Sequence, residues 1–444
     1  MWDLKIDTRR LVEGFSTSVL WERPNVLWNK ADDWWNDNYV TDPSTAAFLS
    51  ATGIIDPNKQ NYINNLVIAL KNQGLWNKMK AIYPFVSEQR NLLNYTEDFS
   101  NIYWSVNTAT KTPNYGVAPD GTTTASRFYG GGYMQTTGVP KEIGTYVFSF
   151  YVKMTSGSAG TLRVFLDGGT TTTTVNVTGV WTRVQISQTF SSTLVGTEGF
   201  YVDSDVLIWH PQLELGSTAT DYQVTINAQE QFAAAYKYNL KDPQDTDAAF
   251  RLKIFGTWTF TPTGAKGNGT NAYMDSGFNP SAQSINNNTH ISYYSRSNIQ
   301  EAAAEIGIFK APYDRLSMEL NYYYLGVSYG FNSDQYNYAT GRVSAANTNT
   351  QGFYIGSRTN STTHKAFKNN SQIGTTNTGS SGNVSNIIGN IYIGGTNGSG
   401  SAPTYSSKQC AFASIGDGLT DAEALAFYNI VQQFQTSMNR QINP

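Results

Sequence analysis

The sequence is poor in cysteine and in charged residues, and it has no long apolar run. Cys410 is the only cysteine among 444 residues, so no disulfide can form within the chain. Charged residues make up 14% of the sequence, whereas about 25% is usual in soluble domains. The net charge is −3 without any run of lysine or arginine, which disfavours nucleic-acid binding. No stretch of about eighteen apolar residues occurs, so the sequence predicts no membrane insertion.

Aromatic and small polar residues are abundant instead. Aromatic residues reach 14%, with 28 tyrosines and 22 phenylalanines, and the chain is rich in glycine, asparagine, threonine and serine. This composition is typical of β-sandwiches with long polar loops, and the length favours two or three domains. We therefore predict a mainly β protein with two β-sandwiches, a short helical N-terminal region and a C-terminal helix.

Residues 1–44 hold five of the ten tryptophans and show no helical or strand period. A segment this short cannot bury so many indole rings in a core of its own. It either packs on the first domain or docks into another protein, where tryptophan contributes strongly to interface energies. The candidate docking residues are Trp2, Trp21, Trp28, Trp34 and Trp35.

Residues 45–86 are predicted to be helical. Asp56 followed by Pro57 is a helix start, and Gly74 is a C-terminal stop. An apolar stripe at helical spacing follows the start. Its members are Ile63, Leu66, Val67 and Leu70. We predict that this segment belongs to the C-terminal domain and that residues 87–226 are inserted between the two parts, since exposed turns tolerate insertions.

Residues 87–226 contain alternating apolar runs such as YVFSFYVKM and WTRVQISQTF, which predict strands with one buried face. This segment resembles the carbohydrate-binding-type jelly-roll modules common in bacteriophage structural proteins. The matching motifs are Asn-Leu-Leu at 91–93, Glu-Asp-Phe at 97–99, Trp104, Ala-Pro-Asp-Gly at 118–121, Gln-Leu-Glu-Leu-Gly at 212–216 and Ala-Thr-Asp-Tyr at 219–222. The resemblance implies a jelly-roll fold and leaves the ligand open.

Residues 227–444 contain short strand-like runs separated by glycine, asparagine and serine turns. Two motifs stand out, the Gly-Asn-Gly-Thr-Asn-Ala-Tyr turn at 267–273 and the end strand at 411–420. On these motifs and the order of the runs, the segment resembles the concanavalin A-like (laminin-G-like) jelly-rolls of phage particle proteins. Thr420 and Glu423 form a capping box that starts a last helix. Its predicted buried face is Phe427, Val431, Phe434 and Met438.

Tyrosines are the candidate glycan-binding residues wherever they are exposed, because an aromatic face packs against the apolar face of a pyranose. The candidates are Tyr322, Tyr324, Tyr329, Tyr133 and Tyr115, with Tyr103, Tyr129, Tyr201, Tyr323, Tyr336 and Tyr338 as further members. Strand alternation in NYYYLGVSYG sends Tyr322 and Tyr324 to one face and Tyr323 to the other. The alternative is a ladder of tyrosines that only covers a sheet.

Few residues suggest a metal or a catalytic centre. Glu97, Asp98 and Glu214 are candidates for a structural Ca²⁺ site, since that ion prefers oxygen ligands; hydrogen bonds to turns are the alternative. No other cofactor is indicated. The histidines His210, His290 and His364 lack metal-ligand spacing, and Cys410 lies in an apolar strand.

Carboxylates show no spacing typical of a glycoside hydrolase. Asp203 and Asp205 alternate in one run, and Glu301 and Glu305 lie in an EAAAE segment that we interpret as a solvated turn. We therefore predict a protein without enzymatic activity. A glycan depolymerase is the alternative.

Together these features predict a structural protein of a bacteriophage particle, in a fibre, spike, decoration or tail position. The chain start lacks the apolar core of a secretion signal, which fits assembly in the host bacterial cytoplasm and release by lysis. The expected partners are other virion proteins, cell-surface glycans and further copies of the same chain. A purely architectural protein without any ligand is the remaining alternative.

Overall fold

The computed structural model describes six stretches of the chain. They are residues 41–283, 287–312, 314–336, 339–379, 384–399 and 403–442. The predicted docking tryptophans lie outside these stretches, so the N-terminal anchor stays a prediction. These residues are Trp2, Trp21, Trp28, Trp34 and Trp35. Tyr338 also lies outside the described residues.

The described residues are mainly β, which confirms the predicted fold class. They form four α-helices: α1 at Pro43–Thr52, α2 at Pro57–Asn72, α3 at Ala228–Tyr236 and α4 at Asp421–Ser437. Asp56 caps α2, and its side chain accepts hydrogen bonds from two backbone amides of the first turn. Thr420 and Glu423 form the predicted capping box of α4.

The strands are numbered in chain order. Strand β1 is Met79–Tyr83. The next twelve are β2 Trp104–Asn107, β3 Thr110–Gly116, β4 Ala125–Tyr129, β5 Tyr133–Thr136, β6 Val139–Lys141, β7 Gly144–Met154, β8 Ala159–Phe165, β9 Thr173–Thr178, β10 Thr182–Phe190, β11 Leu194–Gly196, β12 Gly199–Tyr201 and β13 Val206–Leu215. The last are β14 Lys253–Phe255, β15 Trp258–Thr261, β16 Gly264–Gly267, β17 Tyr273–Asp275, β18 Thr289–Ser295, β19 Ile306–Lys310, β20 Asp314–Tyr324, β21 Val327–Gln335, β22 Arg342–Ala345, β23 Gly352–Asn360, β24 Thr363–Lys368, β25 Ser371–Asn377, β26 Tyr392–Ile393, β27 Gly395–Asn397, β28 Thr404–Tyr405 and β29 Gln409–Gly416.

Strands β2 to β13 form the first sandwich. Its two five-stranded sheets have the orders β10-β7-β13-β4-β3 and β2-β5-β12-β8-β9, and β6 pairs with β11. Aromatic side chains from both sheets meet between them, where the ring centroids of Phe128 and Phe200 lie 5.2 Å apart. Trp104, at the start of β2, is completely buried in this core.

Strands β1 and β14 to β29 form the second sandwich. One sheet has the order β15-β16-β29-β18-β23-β24-β25, with β1 paired to β29, and the second has the order β22-β21-β20-β19-β27-β28. Strands β14, β17 and β26 form a three-stranded sheet in the order β14-β17-β26. Phe331 of the second sheet stacks on Tyr354 of the first, with ring centroids 5.7 Å apart. The pairing of β1 with β29 across residues 87–226 is what the predicted insertion would produce, although the domain boundaries stay a prediction.

Helices α2 and α4 pack beside the sheet that contains β23 and β29. The predicted stripe of α2 is buried, and so are Phe427, Val431 and Phe434 of α4. Phe427 lies against Phe353 of β23, with ring centroids 5.3 Å apart. Burial of these rings explains the apolar periods of both helices.

The two sandwiches are joined by a polar contact centred on Glu142, in the loop between β6 and β7. Its carboxylate pairs with the Arg296 guanidinium at 3.0 Å and accepts hydrogen bonds from Thr261 at 3.2 Å and from Thr263 at 2.5 Å. Gln409 also donates to it. A carboxylate of the first sandwich is thus bonded by four side chains of the second.

Candidate functional site

The outward face of the sheet β22-β21-β20-β19-β27-β28 carries the strongest candidate site. Along β20, Leu316, Met318 and Leu320 point into the core and are completely buried. Arg315 and Glu319 alternate with them and therefore lie on the opposite face. There they line a hollow of about 390 Å³. We call it the tyrosine groove and define it by Phe309, Arg315, Glu319, Tyr322, Tyr329, Asn332 and Arg342.

A β-bulge brings Tyr322 to this face. Simple alternation would put Tyr322 on the core side with Leu320. The pairing of β20 with β21 shifts its register between Glu319 and Tyr322, and a bulge of this kind redirects the side chains that follow. Tyr322 consequently lines the same hollow as Glu319.

Three tyrosines form a cluster at the groove. The rings of Tyr322 and Tyr324 lie nearly parallel, with centroids 6.3 Å apart, and Tyr329 lies 5.8 Å from Tyr322. The predicted common face of Tyr322 and Tyr324 is therefore confirmed. Tyr324 is 49% exposed and Tyr329 55% exposed, so the cluster is open to solvent.

Two arginines and two carboxylates form a paired network in and beside the groove. Arg342 holds Asp334 through two hydrogen bonds of 2.8 and 2.7 Å. Arg315 donates to Glu319 at 2.8 Å, and Asn332 donates to the other oxygen of Glu319 at 2.9 Å. Burial raises the pKa of Glu319, and Arg315 opposes that shift. Each of the four carboxylate oxygens thus accepts a hydrogen bond.

A buried ionic cluster supports the strand that carries Tyr322. Lys408 lies 2.8 Å from Glu301 and 2.7 Å from Glu305, and Glu305 also accepts a 2.7 Å hydrogen bond from the backbone amide of Leu320. Burial raises the pKa of Glu305 to about 7. The backbone oxygen of Glu301 accepts from the amide of Tyr323 at 3.1 Å.

The predicted solvated turn at Glu301 and Glu305 is therefore wrong. Glu305 is completely buried, and the segment forms no helix. Spacing within EAAAE could not show this, because the compensating charge of Lys408 lies 103 residues beyond Glu305.

The candidate tyrosines of the first sandwich have charged or aromatic neighbours against their rings, and Tyr115 is 48% exposed. The Arg127 guanidinium lies 5.0 Å from the ring centre of Tyr115 and 4.3 Å from that of Tyr129. Tyr133 packs edge-on against Tyr201 at 5.8 Å. The Arg163 guanidinium lies 4.4 Å above the Tyr201 ring. Of the other candidates, Tyr103 and Tyr336 are buried.

Asp203 and Asp205 are the partners of these arginines. Arg163 holds Asp203 through hydrogen bonds of 3.0 and 2.8 Å, and Arg127 holds Asp205 through bonds of 2.9 and 2.5 Å. The hydrogen bond from Arg127 lowers the pKa of Asp205. Two separate ion pairs of this kind do not constitute the acid and base of a hydrolase.

The proposed calcium ligands are engaged in separate contacts. Glu97 accepts a 2.6 Å hydrogen bond from the Tyr222 hydroxyl and lies 3.0 Å from His210. Asp98 accepts from the backbone amide of Ser100, and Glu214 accepts from Gln212 and Thr220. Within the described stretches, no group of three or more histidine, cysteine, aspartate or glutamate side chains is arranged to hold a metal ion. Asp98 and Glu214 accept from backbone amides, as the alternative of hydrogen bonds to turns has it, whereas the partners of Glu97 are side chains. The calcium site stays a prediction.

The remaining reactive side chains are enclosed. His290 and His364 are completely buried, and burial lowers their pKa to about 4 and about 3. Burial also raises the pKa of the Cys410 thiol well above its ordinary value. Among the described residues, no helix combines the length and hydropathy needed to cross a bilayer.

No family model and no curated protein sequence matches the chain. Solved structures with a similar part include the C-terminal CBM6 of the laminarinase LamC from Zobellia galactanivorans, at 16% identity over 26% of this chain and 93% of the other, with a TM-score of 0.20. Another is the CBM22-1 xylan-binding domain from Paenibacillus barcinonensis Xyn10C, at 18% identity over 32% and 96%, with a TM-score of 0.22. A third is the enzymatically active domain of tailspike protein 4 from bacteriophage CBA120, at 13% identity over 29% and 22%, with a TM-score of 0.22.

Proposed function

We propose that the protein binds glycans without cleaving them, and that the tyrosine groove is the binding site. The observation that carries this proposal is the group of three solvent-open tyrosines beside a polar hollow. Aromatic rings provide apolar faces for the C–H groups of a sugar, and a few fixed polar groups orient it. Arg315, Asn332 and Arg342 are held by their neighbours and can offer hydrogen bonds to sugar hydroxyl groups.

A binding screen tests this proposal. The protein would be applied to an array of plant, algal and bacterial-surface glycans together with the double variant Tyr322→Ala/Tyr329→Ala. We expect the wild-type protein to bind at least one glycan and the double variant to lose at least about tenfold in affinity. Tyr115→Ala is the matched control, because Arg127 already covers that ring. Equal binding by wild type and double variant would refute the groove as the site.

We also propose that the protein is a structural component of a bacteriophage particle that displays the groove to its surroundings. Support comes from the sequence resemblance of both sandwich regions to phage particle modules and from the tryptophan-rich residues 1–44. Single aromatic sugar sites are weak, and many copies on one particle would raise the avidity. A chain that lacks residues 1–40 should fail to enter particles, as measured by mass spectrometry of purified virions. Normal incorporation would exclude this segment as the anchor.

A glycan depolymerase is the second candidate, because the groove region contains two neighbouring carboxylates. Burial raises the pKa of Glu319, as a general acid requires, and Asp334 lies close enough to influence it. Arginine and amide donors already occupy all four oxygens, which favours a structural role. Release of reducing ends by the wild-type protein but not by Glu319→Gln would establish the enzyme instead of the binding protein.

A further inference from the structure

We propose that the tyrosine groove is one of two adjoining subsites, and that the ligand is an uncharged sugar chain of at least two residues. This inference rests on the glycan-binding function proposed above. A second hollow, also of about 390 Å³, lies beside the groove. We call it the outer hollow. It is lined by Ser328, Tyr329, Gly330, Ser344 and residues 345–348.

The two hollows meet at Tyr329. This side chain lines both of them, and 55% of its surface is exposed. The Ser344 hydroxyl of the outer hollow donates a 2.8 Å hydrogen bond to Asn332 of the groove. The hollows therefore lie side by side on one sheet face, and the tyrosine ring stands where a chain would pass from one to the other.

Each hollow is large enough for at least one sugar unit. Sites for small molecules usually measure about 300–1,000 Å³, so a hollow of about 390 Å³ is at the lower end of that range. A single sugar would leave one of the two hollows unfilled. A chain would use both and would also contact Tyr329 between them.

The charges of the site favour an uncharged ligand. In the groove, Arg315 and Arg342 are balanced by Glu319 and Asp334 at hydrogen-bonding distance. The outer hollow is lined, among the described residues, by serine, threonine, asparagine, alanine, glycine and tyrosine, all of them uncharged. A sugar carboxylate or sulfate would have to compete with buried carboxylates for their arginines, which is costly. Hydroxyl groups can bind such a network without separating its charges.

Binding measurements on defined sugars test the inference. The probes are glucose, xylose and galactose, neutral hexaoses of each, and hexagalacturonate as the anionic probe, all titrated by calorimetry. We expect at least one neutral hexaose to bind about tenfold or more tightly than its monosaccharide. We also expect that raising the salt from 50 to 500 mM changes this affinity by less than about twofold, because no net charge is neutralised.

A variant that fills the outer hollow isolates the second subsite. Ala346 is exposed on its lining, so Ala346→Trp should fold normally and lower hexaose affinity to that of the monosaccharide. Thr348→Trp is the second variant, and Tyr115→Trp in the first sandwich is the matched control.

The possible outcomes separate the two proposals. Equal affinity for hexaose and monosaccharide, with no effect of either tryptophan, would overturn the two-subsite inference and leave glycan binding intact. Tighter, salt-sensitive binding of hexagalacturonate would overturn the uncharged class. If no probe bound and the glycan array also gave no ligand, the proposed function would fail together with the inference.

Discussion

The two sandwiches place similar residues on their surfaces and arrange them differently. Both combine tyrosines with arginine–carboxylate pairs. In the first sandwich the guanidinium groups lie on the tyrosines themselves, as Arg127 does on Tyr115. In the second sandwich Arg315 lies 4.5 Å from the ring centre of Phe309, and the rings of Tyr322 and Tyr329 lie 5.8 Å from each other. The exposed area of a tyrosine therefore does not by itself identify a sugar-binding ring. What matters is whether another side chain already lies against the face of that ring.

The sandwiches also differ in their buried charges. In the first, Lys141 pairs with Glu198, and both side chains are completely buried. In the second, Lys408 is completely buried and pairs with two carboxylates, Glu301 and Glu305. Burial raises the pKa of Glu198 and of Glu305 to about 7. One lysine thus compensates one carboxylate in the first sandwich and two in the second.

Removing each buried lysine should give the largest loss of stability among these predictions. The loss should be greater in the second sandwich than in the first. We expect Lys408→Met to lower the free energy of unfolding by about 3–5 kcal/mol, since breaking a buried pair leaves uncompensated charge. Lys141→Met should cost less, because it strands one carboxylate rather than two. Urea unfolding at pH 7 measures both effects.

The control for this ranking is Lys365→Met. Lys365 pairs with the largely exposed Asp421, so its loss should change the free energy of unfolding by less than about 1 kcal/mol. The double variant Lys408→Met/Glu305→Gln should recover part of the stability. A larger loss for Lys141→Met than for Lys408→Met would contradict the ranking.

Local sequence signals predicted the elements of the fold well. The capping residues Asp56 and Thr420 mark the beginnings of α2 and α4, because a cap depends on neighbouring residues alone. Alternating runs such as residues 146–152 of β7 predicted a strand for the same reason. These features depend on neighbours within a few positions, which a single sequence displays.

The site depended on contacts that the sequence does not display. Alternation correctly grouped Tyr322 with Tyr324, but only the bulge after Glu319 decides that they face the groove rather than the core. Similarly, nothing near Tyr115 in the sequence indicates that Arg127 covers it, since the contact arises from the pairing of β3 with β4. Pairing between strands therefore determines which candidate tyrosines face the groove and which have an arginine against their rings.

Acid should destabilise the second sandwich more than the first. Burial lowers the pKa of His290 to about 4, below the value of about 6.5 expected in the unfolded chain. The folded state therefore binds fewer protons, and its stability is complete above about pH 6.5 and falls as the pH drops toward 4. The shift corresponds to about 3 kcal/mol for His290. His364 acts in the same direction, with a pKa of about 3.

Hydrogen exchange between pH 7 and 4.5 measures this difference region by region. Glu198 in the first sandwich and Glu305 and Glu319 in the second act in the opposite direction over this range, because burial raises their pKa values. A histidine variant is therefore needed to isolate the contribution of the histidines. His364→Gln should reduce the acid-induced loss in the second sandwich. Faster exchange in the first sandwich at pH 4.5 would contradict the expectation.

The smallest predicted effect tests the ring-covering argument directly. If Arg127 is what keeps a sugar from the first sandwich, Arg127→Ala should uncover Tyr115 and Tyr129 and create weak glycan binding there. We expect a gain of about twofold to tenfold, measured in the Tyr322→Ala/Tyr329→Ala background so that the groove does not contribute. Arg127→Lys is the control, because it keeps a cation beside the rings and should show no gain. If neither variant gained binding, the rings of the first sandwich would lack the polar partners that the groove supplies, and covering alone would not explain the difference between the sandwiches.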